Sequence, residues 1–465
     1  MNNKLAEFKN QIKDKKVAIL GIGISNTPLA KYLNSIGVKD ITVFDRADRN
    51  KLEPTLKNLE GLNIRYSLGE NYLDQLKGFD IIFKTPVVRF DIPELVRERE
   101  RGAVITSEME VFLELCPAQV FGVTGSDGKT TTTTLIYNIL KQKGYNCWLG
   151  GNIGTPLLDK IDEIRETDKV VLELSSFQLH TMKSSPDVSV VTNVSPNHLD
   201  VHKSMEEYTD AKKNIFRYQT SADRLVVNYD NEITRKFADD AKGKTVFFSS
   251  SNTLKEGAFL KDGYIVYRDS DSEKYIVDIE SILLPGMHNV ENYLAATAAV
   301  IDYVEPGDIE KVAKTFKGVE HRMELVREVG GVKFYNDSIG SSPSRTIAGL
   351  KAFKQKVILI AGGYDKNISY EDMGTIIVDK VKKLILLGPT APKIAAALEN
   401  EIKRTGKGSD IPVIFCKTYE EAVENSYRDT VKGDIVVLSP ASASFDMFKN
   451  FEERGNKFKE LVNML

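Results

Sequence analysis

A chain of 465 residues, 42% hydrophobic and 28% charged, is long enough for two to four globular domains. Its formal net charge of -3 carries no basic excess for nucleic acid, and no apolar run approaches the length of a membrane span. The opening MNNKLAEFKNQIKDKK lacks a signal-peptide apolar core, and Cys116, Cys147 and Cys416 show neither disulfide-framework nor zinc spacing, a pattern expected of a cytoplasmic protein.

The first hundred residues alternate strand and helix patterns. KVAILGIG is an apolar run breaking into glycines, followed by a helical stretch to Gly37 and the strand ITVFD, the opening of a doubly wound α/β unit. GIGISN supplies two glycines of G-x-G-x-x-G, with Asn26 in place of the third, and Asp45 follows roughly twenty residues on, where a dinucleotide fold places its ribose-binding acid. A nicotinamide dehydrogenase is one reading of this segment. A nucleotide-like substrate in place of a redox cofactor is the other.

A second α/β unit centres on GVTGSDGKTT. QVFGVTG reads as a strand, and Thr130 to Lys143 as a helix stopped by Gly144, with Leu135, Ile136, Ile139 and Leu140 at helical spacing. The strict phosphate loop G-x-x-x-x-G-K-[ST] would put its first glycine at position 123, which is Val123; Gly122 lies one place too early. A glycine loop between strand and helix still turns backbone N–H groups toward an anion, with the helix N-terminus adding partial positive charge. Gly125, Ser126, Asp127, Gly128 and Thr131 form or flank that cradle, Lys129 can reach phosphate oxygens, and the Thr130 hydroxyl can join a Mg2+ shell.

Three residues downstream carry chemistry. Glu173 sits inside the apolar strand VVLELSS, where a carboxylate is costly unless paired or metal-bound. His198 follows the strand PDVSVVTNVS, at the carboxyl end where ligands collect in such sheets. Ser204 and Glu207 fit a capping box, which starts a helix near residue 205 whose apolar face is Tyr208, Ala211, Ile215 and Phe216. Lys212 falls on that face. Its ammonium either snorkels to water or loses its proton in the apolar stripe and becomes a reactive amine.

From about residue 320 the runs VKFYN, KVILIAGG, KLILLG, PVIFC and DIVVLSPAS alternate with helical segments. The expected architecture is α/β in three domains: a Rossmann-like domain (1–107), a central phosphate-loop ATPase domain with a mainly parallel sheet (108–319) and a C-terminal Rossmann-like domain (320–465). AGGYDK ends a strand of the last and offers Lys366 to an anion.

Together these segments resemble the Mur ligases, the ATP-dependent amide-forming enzymes of peptidoglycan synthesis. The resemblance spans the chain through GVTGSDGKTTTTT, GGNIGTP, LELSSFQL, NVSPNHLD, PGMHNVENYLAA, EHRMELV, YNDS, AGGYDK and LSPASASFDMFKNFEERG. The family's own loop, T-G-[ST]-[ND]-G-K-[ST], matches without the displaced glycine. The resemblance implies a monomeric, cytoplasmic ligase that joins D-glutamate to UDP-N-acetylmuramoyl-L-alanine, using ATP and two Mg2+ ions. It implies that Lys129 and Thr130 bind phosphates and metal, that Glu173 is a metal ligand, and that His198 and a carbamylated Lys212 hold the second ion. Asn289, Asn292, Arg322 and Asp337 would contact the nucleotide. Ile24, Ser25, Asp45, Arg46, Thr85, Asn152, Ser175 and His198 would line the UDP-linked substrate, and Lys366, Ser444, Phe445 and Phe451 the glutamate.

The chain departs from the family pattern at Thr85-Pro86-Val87, where the usual loop is S-P-G, at Ile339-Gly340-Ser341, where Lys-Ala-Thr is common, and at Asn197, which replaces an acid. Arg345 is the nearby cation that could stand in for the missing lysine. Rival readings are a folylpolyglutamate synthase, which would not need the first domain, another Mur ligase taking a different amino acid, and a nucleotide-gated sensor that binds ATP without turnover.

Overall fold

The computed structural model describes residues 3–23, 25–196, 202–366 and 368–465. Three sheets organise the chain. The first has five parallel strands, β1 (Lys16–Leu20), β2 (Asp40–Asp45), β3 (Ile64–Leu68), β4 (Ile81–Lys84) and β5 (Val104–Thr106), in the order β3-β2-β1-β4-β5. Val17, Ala18, Ile19 and Leu20 are all buried, the continuous apolar run expected of a parallel strand covered on both faces.

The second sheet contains β6 (Gln119–Thr124), β7 (Cys147–Gly151), β8 (Lys169–Glu173), β9 (Val188–Val191), β10 (Arg224–Asn228), β11 (Lys244–Ser249), β12 (Gly257–Lys261), β13 (Tyr264–Arg268) and β14 (Glu273–Asp278). Their order is β14-β13-β12-β11-β10-β9-β6-β8-β7, parallel from β7 to β12. β12, β13 and β14 form an antiparallel edge that the α/β pattern does not anticipate. Its first hairpin turns at Asp262-Gly263, both with positive φ (51° and 80°), the two-residue turn whose twist suits paired strands.

The third sheet has β15 (Glu324–Val329), β16 (Val332–Asn336), β17 (Val357–Ala361), β18 (Val381–Leu386), β19 (Val413–Phe415) and β20 (Ile435–Leu438), in the order β15-β16-β20-β17-β18-β19. Only the β15/β16 pair is antiparallel. The chain divides into two compact units: residues 1–278 with 291–312, holding the first two sheets, and residues 279–290 with 313–465, holding the third. Among the described residues no helix is long and apolar enough to cross a membrane.

In the second unit a buried guanidinium ties the strand-end loops together. Arg454, on the helix Phe451–Met464, is 1% exposed. It donates to the carbonyls of Ser442 (2.9 Å) and Ala443 (3.0 Å) after β20, and to Ser338 O (2.7 Å) and Oγ (3.0 Å) after β16. Hydrogen bonds to a charged donor are worth more than neutral ones, and acceptors left alone pay their desolvation. Arg454→Met should therefore lower the unfolding free energy of this unit by about 3 kcal/mol, read as a lower urea midpoint; an unchanged midpoint would show the loops hold without it.

Candidate active site

The glycine loop joins β6 to the helix Lys129–Lys143, one residue earlier at its start than the sequence pattern suggests and capped by Gly144 as expected. Neighbouring strand ends hold it in place. From the end of β9, Asn193 Oδ1 accepts from the Asp127 N–H (2.9 Å), its carbonyl from the Ser126 N–H (2.9 Å), and Thr192 Oγ1 donates to Asp127 O (2.6 Å). Gly125 and Gly128 have positive φ (155° and 78°), and a Cβ on them would strike Thr192 Oγ1 and Asn292 Oδ1 respectively. Both positions thus require glycine for space as well as for conformation. Asn292 also accepts from Thr132 Oγ1 (3.2 Å) on the helix, so its amide is packed behind the loop.

Two lysines converge on one carbonyl. Lys129 Nζ donates to Gly125 O and Ser126 O (both 2.9 Å), and Lys212 Nζ donates to Gly125 O (2.8 Å) and Thr124 Oγ1 (3.3 Å). Lys212 lies on the helix Met205–Arg217 and is 1% exposed, so it does not snorkel. Its Nζ sits 4.7 Å from the centre of the Tyr208 ring, and Tyr208 OH contacts Ser126 Oγ at 3.0 Å. Burial, reinforced by the charge of Lys129, pushes the Lys212 ammonium well below its ordinary pKa. The helix start matches half of a capping box: Ser204 Oγ accepts from the Glu207 N–H (3.1 Å), while the Glu207 carboxylate accepts from the N–H of Lys203, one residue before the cap (2.6 Å).

Glu173 closes β8, beside β6 and β7, and is 1% exposed. Asn152, just past β7, donates its side-chain N–H to Glu173 Oε1 (2.7 Å), but Oε2 is buried with no hydrogen-bond partner. Such a carboxylate oxygen fits a site built for a cation or a donor that arrives with a ligand. Ser175 caps the short helix Ser176–Leu179 through a full capping box with Gln178. The loop, Thr192, Asn193, Glu173 and Asn152 all lie at the carboxyl ends of the adjacent parallel strands β9, β6, β8 and β7. His198 and Ile24, both named from sequence, fall outside the described residues.

On the first sheet, Asp45 ends β2. It accepts from the Ile22 N–H (2.9 Å) and the Ala47 N–H (2.8 Å), fixing the loops after β1 and β2. Thr85 follows β4 and packs so closely on Gly21 that a Cβ there would lie 2.8 Å from it. Ser25 stands at the start of the helix Asn26–Ser35 without a side-chain cap, and Arg46 is exposed. These residues cluster where the strand order reverses between β1 and β4, the usual ligand crevice of an open α/β sheet.

In the second unit, Asp337 follows β16 and accepts from Ser439 Oγ (2.8 Å) and the Met323 N–H (3.3 Å). Arg322 lies between His321 and Met323, both with positive φ (62° and 45°), a backbone held in a sparsely populated region. Phe451 accepts at its carbonyl from Ser338 Oγ (2.7 Å). Exposed Lys366 lies 6.0 Å from the ring of Phe445, which is 60% exposed, and Ser444 is buried next to it. Asn289 donates to Pro285 O (2.7 Å) within this unit. Asp337, Ser439 and Lys366 follow β16, β20 and β17, adjacent in the sheet. Sequence reasoning assigned no role to Thr192, Asn193, Ser439 or Arg454. The last lies within FEERG, and an arginine inside an apolar-faced helix was the available signal.

Burial raises the Asp337 carboxyl from 3.8 to about 6, against the Ser439 hydrogen bond and the Arg322 charge that lower it. A carboxyl whose folded pKa lies above its unfolded value binds more protons when folded, so its contribution to stability falls as pH rises from about 4 to about 6. Asp337→Asn should remove up to about 3 kcal/mol of that cost. In urea titrations the variant should exceed the unsubstituted protein at pH 7, with the gap closing near pH 4; a pH-independent gap would rule this out.

Residues 123–300 match the Mur ligase middle domain and residues 321–442 the Mur ligase glutamate ligase domain. The chain is 66% identical to the UDP-N-acetylmuramoylalanine–D-glutamate ligase of Acetivibrio thermocellus and 59% identical to that of Ruminiclostridium cellulolyticum, over all of both chains in each case. Among solved structures it is similar in fold to a UDP-N-acetylmuramate–alanine ligase from Thermotoga maritima, at TM-score 0.58 and 20% identity, covering 97% of this chain and 99% of that one. It also resembles the MurF ligase of Thermotoga maritima solved in complex with ADP, at TM-score 0.56 and 19% identity, covering 98% and 97%. With a glycine loop and a buried acid at adjacent strand ends, a buried lysine on the helix beside them, and relatives at this identity over its full length, the chain belongs to the Mur ligase family, in the branch of the UDP-N-acetylmuramoylalanine–D-glutamate ligases.

Proposed function

We propose that this protein joins D-glutamate to UDP-N-acetylmuramoyl-L-alanine in an ATP-dependent reaction of cytoplasmic peptidoglycan precursor synthesis, acting as a monomer. The observation that supports it most is the pair of lysines converging on Gly125 O beside the unpartnered Glu173 Oε2. That arrangement sets two cationic side chains beside a buried carboxylate oxygen, the charges that suit a metal-bound nucleotide. Three domains, 1–107, 108–319 and 320–465, each built on one sheet, are our reading of the division of labour.

A carboxylate is a poor acyl donor. In this reading its oxygen attacks the γ-phosphorus of ATP, the bond to ADP breaks, and an acyl phosphate forms. The glutamate amine then attacks the acyl carbon and loses a proton, and the C–O bond to phosphate breaks. Lys129 and the loop N–H groups of Gly125 to Thr131 hold the phosphates. Thr130, Glu173, His198 and a carbamylated Lys212 are the residues that would hold two Mg2+ ions. Bound there, the metal offsets the negative charge that gathers as phosphoryl group and carboxylate approach. The buried, easily deprotonated Lys212 amine supports the carbamate, since only the neutral amine adds carbon dioxide.

Asn289, Asn292, Arg322 and Asp337 are assigned to the nucleotide. Ile24, Ser25, Asp45, Arg46, Thr85, Asn152, Ser175 and His198 are assigned to the UDP-linked substrate, and Lys366, Ser444, Phe445 and Phe451 to glutamate. Phosphate release, measured across a matrix of UDP-sugar acceptors and D- and L-amino acids, should require both UDP-N-acetylmuramoyl-L-alanine and D-glutamate; release without either would overturn the assignment. Lys212→Ala should cut the rate at least about 100-fold, the scale on which one well-placed electrostatic group acts, with partial rescue by short carboxylic acids. An unchanged rate would remove the carbamate from the mechanism.

A further inference from the structure

Lys84 ends β4 and is 4% exposed, yet among the described residues its Nζ makes no hydrogen bond or ion pair. It lines a cavity of about 20 Å3 together with Val87, Arg89, Phe177, His180 and His202. That volume admits about one water molecule or one oxygen atom of a larger group. Glu110 acts on Lys84 only through space, and its own oxygens accept from the Lys183 N–H (2.8 Å) and Thr106 Oγ1 (3.3 Å). Burial therefore dominates and lowers the ammonium to about 8, which leaves it largely protonated at neutral pH. A charged donor largely removed from water and given no protein acceptor is costly unless a ligand supplies one.

The charge around this cavity selects the sign of that ligand. His180, His202 and Glu207 bring ligand atoms within 4.8 Å of one another, a spacing that a divalent cation could use. Glu207 is already engaged by Arg89 (2.9 Å), by His180 Nε2 (3.1 Å) and by the Lys203 N–H (2.6 Å). Lys84 and Arg89 line the same cavity and would repel a cation. An anion is favoured. Lys84 immediately precedes Thr85, which packs on Gly21 at the β1/β4 crevice, so the anion belongs to the ligand of that crevice. Of the parts of a UDP-linked substrate, the diphosphate concentrates the most negative charge, and lysine meets phosphoryl oxygens as a point charge.

We propose that Lys84 is a specificity-determining residue for the UDP-linked substrate, its ammonium donating to a diphosphate oxygen inserted into this cavity from its mouth. The proposal rests on the assignment of that substrate to the first sheet made above. It is tested by calorimetric binding of UDP and of uridine to the full-length protein and to Lys84→Met, Lys84→Gln and Lys84→Arg. Loss of the ammonium should weaken UDP at least tenfold while uridine changes less than twofold, and Lys84→Arg should retain most of the UDP affinity. In turnover the loss should fall on KM for the UDP-linked substrate and not on KM for ATP. Lys84→Gln supplies the same comparison if Lys84→Met fails to fold. A UDP-to-uridine ratio that survives loss of the ammonium overturns the proposal. So does binding of inorganic phosphate that depends on Lys84 while UDP binding does not, which would make the cavity a free-anion site. If the unsubstituted protein binds UDP but shows no acceptor-dependent phosphate release, the ligase reading fails while the role of Lys84 in diphosphate binding stands.

Discussion

The sharing of Gly125 O by two lysine side chains is the constraint from which the rest of the first unit's site follows. With both nitrogens within 2.9 Å of one oxygen, they lie no more than about 6 Å apart, where two like charges repel by about 3 kcal/mol at an effective dielectric of 20. The repulsion is relieved when one amine loses its proton, and Asp127 offsets part of it through space. Lys212 is the one that yields, because it is buried against Tyr208 and cannot reach water. The same burial that makes it unfavourable as an ammonium makes it available as an amine. The helix that carries it packs its apolar face on the sheet, so its chemistry depends on ordinary core packing around Tyr208, Ile215 and Phe216.

All three sheets place their polar groups by one rule. A parallel strand spends its length in apolar pairing and presents its first free backbone and side-chain groups where it ends. β9, β6, β8 and β7 end at or just before Thr192, the glycine loop, Glu173 and Asn152; β16 and β20 end just before Asp337 and Ser439, and the loop after β17 carries Lys366. Adjacent strands bring these ends together although the residues are far apart in sequence. The β6 loop and Asn193 are about seventy positions apart and hydrogen-bond directly.

That separation decides what the sequence could disclose. Periodicity put Lys212 on the apolar face of its helix, and an apolar strand singled out Glu173, since both are local patterns. The choice between a snorkelling and a buried lysine depended on Gly125 and Thr124, about ninety residues earlier, and local spacing carries no such information. Thr192 and Asn193 read as the end of a strand because their function is to grip another strand's loop. Lys84 carried no reading in the sequence; only the fold shows it buried without a hydrogen-bond partner. The antiparallel edge β12–β14 was legible in its Asp-Gly turn, a local signal, but an alternating α/β pattern leads the eye past it.

The displaced glycine of the phosphate loop has a physical account of its own. Gly122 lies inside β6, and a Cβ there would strike the ring of Pro186 and approach Leu174 Cδ1 to 3.3 Å. It is glycine because the chain crossing that face of the sheet leaves no room for a side chain. The cradle proper runs from Gly125 to Gly128, fewer residues than a strict phosphate loop allots, and it keeps its shape because β9 supplies the donors and acceptors that a longer loop would find within itself. A loop stiffened from outside can be short. The cost is dependence on its neighbours: Thr192 and Asn193 hold the loop's shape although no phosphate motif contains them.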